Sequence, residues 1–135
     1  MKITLVQIDS HGERKENEEK AIKYMKQAVV QKTDVICLSE SFVYWGEEYK
    51  QRQCTLKDIE KYQNFAKENN VNIVLGSVSI RKEDSEKTTN TCFVINRSGE
   101  IVHRYDKKYM YKVNKETLKV DETKRTIPRK NKWNI

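Results

Sequence analysis

Two residue environments in this chain of 135 residues could do acid–base or electrostatic chemistry. Glu40 stands directly after Val35-Ile36-Cys37-Leu38-Ser39, and in α/β sheets ligands gather at the carboxyl ends of strands. A carboxylate in that position can take and return a proton, and its plain alternative is a solvated strand end. The second environment is Arg104-Tyr105-Asp106-Lys107-Lys108-Tyr109-Met110-Tyr111. A lysine flanked by aromatics loses hydration and sits near a partner carboxylate, or else it is one more surface lysine. The thiols of the chain are Cys37, Cys54 and Cys92. Cys37 and Cys92 lie inside apolar runs and read as small buried hydrophobes. Cys54 precedes a helix start, where the dipole favours a thiolate, yet nothing local places Glu40 or a lysine beside it. The three cysteines form no C-x-x-C pair and are odd in number, so reduced thiols are expected. His11 and His103 have no second ligand at helical spacing, and neither a metal nor a cofactor is expected.

The elements that must position these groups follow from periodicity. Lys2 to Asp9, rich in aliphatic residues and bounded by Ser10-His11-Gly12, reads as a buried strand. Asn17 then caps a helix with Glu18 and Glu19 in its first turn and Ile22, Met25, Ala28 and Val29 on one face, running to about Lys32. Val35-Ile36-Cys37-Leu38 has the continuous apolar character of a strand covered on both faces. Thr55, with Asp58 three residues later, starts a helix whose stripe is Leu56, Ile59, Tyr62, Phe65 and Ala66, and Asn69-Asn70 ends it. Asn72 to Ile80 is a third strand, with Gly76 marking a bulge or close approach, and Arg81 to Thr89 reads as a polar loop. Thr91 to Asn96 and Ile101 to Tyr105 flank Arg97-Ser98-Gly99-Glu100, a hairpin turn. Strand, helix, strand, helix, strand and hairpin in that order predict an α/β sheet with an antiparallel portion.

Composition narrows the class. With 35% charged and 36% hydrophobic residues and no long apolar run, the chain is expected not to cross a bilayer, and its N-terminal apolar stretch is too short for a secretory signal, so a cytoplasmic location is expected. The net charge of +7 is unevenly spread: residues 1–106 hold 17 basic and 17 acidic residues, residues 107–135 hold 10 and 3. A basic end such as Lys124-Arg125-Thr126-Ile127-Pro128-Arg129-Lys130-Asn131-Lys132, with only Trp133 as an adjoining aromatic, reads as a solvated segment rather than a nucleic-acid site.

Read together, these segments resemble the nitrilase, or carbon-nitrogen hydrolase, family. The resemblance rests on Val6-Gln7 with Asn17, on Asp34-Val35-Ile36-Cys37-Leu38-Ser39-Glu40-Ser41-Phe42, and on Asn72 to Ser79, Asn90 to Ile95 and Gly99 to Lys107. It implies that Glu40 is the general base and that Lys107, rather than Lys108, stabilises the oxyanion while a cysteine thiolate attacks an amide or nitrile carbon. A thiol needs a nearby base to become nucleophilic at neutral pH, and a fixed ammonium offsets oxyanion charge without reorganising. Tyr44, Trp45 and Tyr49 read as an aromatic substrate wall near Glu40 or as core packing.

The chain also departs from the family pattern. Ser39 precedes the glutamate where proline is usual, and Lys32-Thr33 follow the first helix where glycine is usual. The family domain is about twice as long, and its nucleophilic cysteine lies beyond the lysine, whereas no cysteine follows Cys92. The nucleophile is therefore absent. The resemblance implies half of a four-layer α-β-β-α sandwich, a mixed sheet with helices on one face. Residues 1–111 would be the N-terminal part of the hydrolase domain and residues 112–135 a basic, flexible tail. The expected function is that of a truncated carbon-nitrogen hydrolase, acting on non-peptide C–N bonds and inactive by itself. Its partners would be a small amide or nitrile, once a C-terminal half completes the site, and further copies of itself through the uncovered sheet face. The alternative is a non-catalytic self-associating or basic-tailed nucleic-acid-binding module.

Overall fold

The computed structural model describes residues 1–116 and 118–129, Leu118 by its backbone alone. Parallel strands β1 (Ile3–Val6), β2 (Val35–Glu40) and β4 (Asn72–Lys82) lie side by side, joined by helices α1 (Arg14–Val30) and α3 (Leu56–Asn69). Strands β5 (Ser85–Ile95) and β6 (Ile101–Asp106) then continue the sheet antiparallel, in the order β1-β2-β4-β5-β6. A single turn, α2 (Tyr49–Arg52), and a two-residue strand, β3 (Gln53–Cys54), were not legible from periodicity, and β3 pairs with the far end of β4. This is the mixed α/β sheet that the segment order predicts.

The core lies between the helices and one sheet face. Ile36, Leu38, Ile73, Leu75, Phe93 and Ile95 alternate along their strands toward Ala21, Met25, Ala28, Ile59, Tyr62, Phe65 and Ala66. The intervening residues form the opposite face, where Leu5, Cys37, Val74 and Val94 stand in one row across the sheet. On that face Leu5 is exposed, whereas Cys37, Val74 and Val94 are half-buried. Two expectations change for this reason. β1 is an edge strand with Leu5 78% exposed, not a buried strand, and Cys37 in β2 and Cys92 in β5 are half-buried rather than enclosed on both faces.

Helix ends show where local signals sufficed. The Asp58 carboxylate accepts from the Thr55 backbone N–H at 2.7 Å, as a capping box requires, and Asn70 ends α3 in the left-handed conformation at φ 50°. Leu56, placed on the apolar stripe by spacing, is instead exposed in the first turn. Asn17 does not cap α1, which begins at Arg14 after Glu13. Fully buried, it donates from Nδ2 to the carbonyls of Ser10 at 2.8 Å and Val43 at 3.2 Å, so its amide holds two loops together.

The stretch from Arg81 to Thr89 is not a loop. Arg81 pairs with Thr88 and Lys82 with Ser85, which makes a tight hairpin, because ladder hydrogen bonds need only backbone and the polar side chains can point outward. Thr88 and Thr89 are nevertheless buried. Beyond Lys107 the chain forms a second hairpin, β7 (Lys112–Lys115) with β8 (Leu118–Asp121), and then a 3-10 turn at Glu122–Lys124. Ile127 N–H donates to Thr88 at 2.8 Å, which brings this stretch alongside the start of β5. Lys130, Lys132 and Trp133 of the basic end lie outside the described residues.

Candidate active site

Glu40 closes β2, still paired with Ser77, and Ser41 turns the chain sharply at φ 54°, its N–H donating to the Ser77 carbonyl at 3.1 Å. Buried Phe42 and Val43 anchor the departing chain, and Trp45 N–H donates to the Ser10 carbonyl at 2.8 Å. The strand end is thereby held while the Glu40 side chain stays 55% exposed.

Two other elements reach that carboxylate, and a third reaches it through Lys107. Asn90, in the middle of β5, donates from Nδ2 to Glu40 Oε1 at 2.7 Å, and its carbonyl accepts from Lys107 N–H at 2.8 Å. Lys107, one residue past β6, brings its Nζ within 3.4 Å of Glu40 Oε1, although the two residues are 67 positions apart. The same ammonium lies 3.0 Å from Glu122 Oε1. The other oxygen of Glu122 accepts from Tyr111 N–H at 2.6 Å, which locks this carboxylate in place. Burial pushes the Lys107 ammonium down, but the Glu122 hydrogen bond and the charges of Glu40 and Glu122 outweigh it and leave the group above the usual lysine range. Lys107 is therefore a permanently charged cation at neutral pH, suspended between two carboxylates.

Glu122 and Asn90 escaped the sequence reading. Glu122 is one of three acids in a strongly basic stretch, and Asn90 is an ordinary polar residue in a strand. No local signal marks either.

The three aromatics take different positions. Tyr44 is buried, with Gly46 so close to its ring that any side chain at 46 would strike it. Tyr49 braces three elements: its hydroxyl shares a 2.9 Å hydrogen bond with Thr88 Oγ1, accepts from Thr88 N–H at 3.1 Å, and donates to the Arg125 carbonyl. Trp45 is half-exposed, with the Arg52 guanidinium 4.4 Å from its ring centroid.

The cysteines do not join this cluster. Cys54 is buried, and burial pushes its thiol up to about 11 despite the opposing charge of Arg14. Burial also raises the thiols of Cys37 and Cys92, so neither is a thiolate at neutral pH. The dipole effect expected at Cys54 is thus overridden by desolvation. Surface grooves lie elsewhere, beside β1 and α1 and along α1 next to Lys61, and neither is lined by Glu40 or Lys107. Among the described residues no helix is long and apolar enough to cross a membrane.

The carbon-nitrogen hydrolase family model matches residues 2–133. Two curated proteins of Dictyostelium discoideum are similar. Deaminated glutathione amidase is 28% identical over 138 residues, covering 91% of this chain and 47% of its own length. Nitrilase homolog 2 is 28% identical over 126 residues, covering 87% and 38%. The chain thus spans half or less of the length of these relatives. Among solved structures, the C. elegans NitFhit protein superposes with a TM-score of 0.80 at 20% identity, over 94% of this chain and 32% of that one. Saccharomyces cerevisiae Nit3, a member of the nitrilase superfamily, gives 0.77 at 16% identity, over 96% and 48%. At these identities the likeness is one of fold, and the sheet with helices on one face is half of the nitrilase-type sandwich.

Proposed function

The chain belongs to the carbon-nitrogen hydrolase family, and from that premise we propose that Glu40, Lys107 and Glu122 form the acid–base and oxyanion part of an amidase- or nitrilase-type site. The observation that carries this reading is the Lys107 ammonium, 3.4 Å from Glu40 and 3.0 Å from Glu122, with Asn90 fixing the same Glu40 oxygen. In the reaction Glu40 takes the proton of the attacking thiol as sulfur bonds to the amide carbon. The carbonyl electron pair moves onto oxygen, where the Lys107 charge stabilises it, and Glu40 returns the proton to the departing nitrogen. Glu122 acts through Lys107, holding it charged and in place.

Among the described residues none of Cys37, Cys54 and Cys92 has a hydrogen bond to Glu40 or Lys107, so none is held where it could pass its proton to that carboxylate. The 135 residues alone therefore hydrolyse no amide, and the nucleophile comes from a complementary half of the fold. The open row of Leu5, Cys37, Val74 and Val94 is the surface on which a second layer packs, or on which copies of this chain associate in its absence. Three free thiols suit a reducing compartment such as the cytoplasm.

The test is a chimera in which this chain replaces the matching segment of the Dictyostelium deaminated glutathione amidase. Amide-dependent ammonia release that is abolished by E40Q and by K107Q supports the assignment. Activity indifferent to both substitutions overturns it. The isolated chain should release no more ammonia than its own E40Q variant, and turnover that disappears in C54A would instead place the nucleophile within it.

A further inference from the structure

Glu122 grips Lys107 from a piece of chain outside the main sheet. It lies in the 3-10 turn that follows β7 and β8, and those two strands form a sheet of their own. A two-stranded ribbon is marginal by itself in water, so the place of this carboxylate depends on what ties the ribbon down. The ties gather just after Glu122. The Arg125 carbonyl accepts from Thr88 N–H at 3.0 Å, Ile127 N–H donates to the Thr88 carbonyl at 2.8 Å, and Lys87 Nζ donates to the Thr123 carbonyl at 2.9 Å. The Glu122 carbonyl in turn accepts from Arg125 N–H at 3.1 Å and Thr126 N–H at 2.8 Å, so a displacement at Arg125 is passed to Glu122.

Tyr49 closes this junction. A phenol has one hydrogen to donate and two lone pairs, and Tyr49 uses all three. Its hydroxyl donates to the Arg125 carbonyl, which can only accept, and takes hydrogen bonds from Thr88 N–H at 3.1 Å and from Thr88 Oγ1 at 2.9 Å. Thr88 is fully buried, two residues before the Asn90 that holds Glu40. The Tyr49 ring carries the Arg125 guanidinium 5.6 Å from its centroid. The turn that bears Tyr49 has a firm base of its own. Arg14 N–H donates to Gln51 Oε1 at 3.0 Å and Arg14 Nη1 to the Gln53 carbonyl at 2.7 Å, which ties α2 to α1, and Gln53 and Cys54 pair with β4. One hydroxyl thus joins the helical layer, the start of β5 and the chain that follows Glu122.

We propose that Tyr49 is a positioning residue: by fastening Arg125 to Thr88 it holds the Glu122 carboxylate against Lys107 and so keeps that ammonium aimed at Glu40. This deepens the function proposed above and rests on it. Lys107 faces two acids, Glu40 at the end of β2 and Glu122 in the 3-10 turn, and together they hold it above the usual lysine range. With the hydroxyl gone, Glu122 withdraws, Lys107 keeps only Glu40, and its titration moves back toward the ordinary value.

The experiment is an NMR pH titration of the full chain, read at the Lys107 side-chain Cε, whose signal is assigned by its loss in K107Q. Y49F keeps the ring and removes the hydroxyl. It should lower the Lys107 midpoint by at least about 0.5 pH unit. A residue with only a structural role would lower the urea midpoint and leave the Lys107 titration where it is. E122Q should lower the Lys107 midpoint further than Y49F does, and the Y49F/E122Q double variant no further than E122Q alone, because the hydroxyl acts through Glu122. T88V, which deletes one of the three contacts, should shift the midpoint in the same direction by less. Lys107 titrating alike in Y49F and the parent chain, or falling as far in Y49F with Glu122 removed as with it present, would overturn the proposal. Should Y49F fail to fold, an unmoved midpoint in T88V overturns it instead. Each of these results leaves the hydrolase reading standing. That reading is decided by the chimera, where ammonia release indifferent to E40Q and K107Q overturns it whatever Lys107 does in Y49F.

Discussion

The Lys107 ammonium and the Glu122 carboxylate meet at 3.0 Å, with side chains only 27% and 20% exposed. The pairing couples the residue that follows β6 to the 3-10 turn that follows β8, so the charge state of one lysine depends on a hairpin that would otherwise be peripheral. Lys107 is held above its ordinary range in the folded chain. Its contribution to stability is therefore complete below the unfolded lysine value of about 10.4 and is lost as pH rises through the higher folded value. The urea midpoint should fall across that alkaline window in the parent chain, and should fall less in E122Q, where the lysine titrates closer to its free value. A parallel decline in both would remove Glu122 as the cause.

Asn17 should behave as a core strut rather than as a helix cap. Replacing it with alanine leaves the Ser10 and Val43 carbonyls without their shared donor in a fully buried position, at a cost of about 1–3 kcal/mol. Asn17→Asp, a good cap residue that cannot donate, should be at least as damaging, and urea denaturation distinguishes the two roles. A neutral Asn17→Asp would restore the capping interpretation.

Gly76 lies opposite the strand that carries Glu40. A Cβ there would run into the Leu38 backbone carbonyl of β2, and on its other side β4 shifts register against β5 between Leu75 and Val78. Gly76→Ala should therefore lose about 1–3 kcal/mol in equilibrium unfolding, the usual range for overpacking. Gly46→Ala meets mainly the hydroxyl end of Tyr44, a side chain that can shift, and should cost less.

Thiol reactivity in the native chain should follow burial. Cys54, enclosed and pushed up to about 11, should be alkylated after Cys37 and Cys92, which are half-buried on the open sheet face. Mass spectrometry after brief iodoacetamide treatment at neutral pH reads the order directly. Labelling of Cys54 first would expose a reactive thiolate and reopen its candidacy as nucleophile.

The row of Leu5, Cys37, Val74 and Val94 should make the isolated chain self-associate. The sedimentation coefficient is expected to rise with concentration, and Leu5→Glu, at a 78% exposed position, should suppress that rise without unfolding the monomer. A concentration-independent monomer in the parent chain would show that the face tolerates water.

The sequence by itself determined the order of strands and helices, the placement of Glu40 at a strand end, the start of α3 at Thr55 with Asp58, and the turn at Gly99, whose φ is 82°. Each is a local matter of periodicity, capping or backbone freedom, expressed within a few residues. The pattern of residues around Lys107 was also legible, through the resemblance of three separated segments to one family. What only the tertiary structure decided is which groups meet. Glu122 reaches Lys107 from 15 positions away, Asn90 reaches Glu40 from 50, and Tyr49 reaches Arg125 from 76. Nothing in the composition of those segments announces a partner. The hairpin from Arg81 to Thr89 was hidden for a related reason: strand pairing is satisfied by backbone hydrogen bonds whose register depends on a distant neighbour, so polar side chains on both faces erase the alternation that would reveal it. Cys54 shows the same limit in energetic form. Its nearness to a helix start favours a thiolate, but the desolvation that opposes it comes from residues packed around it from the rest of the fold, and desolvation prevails.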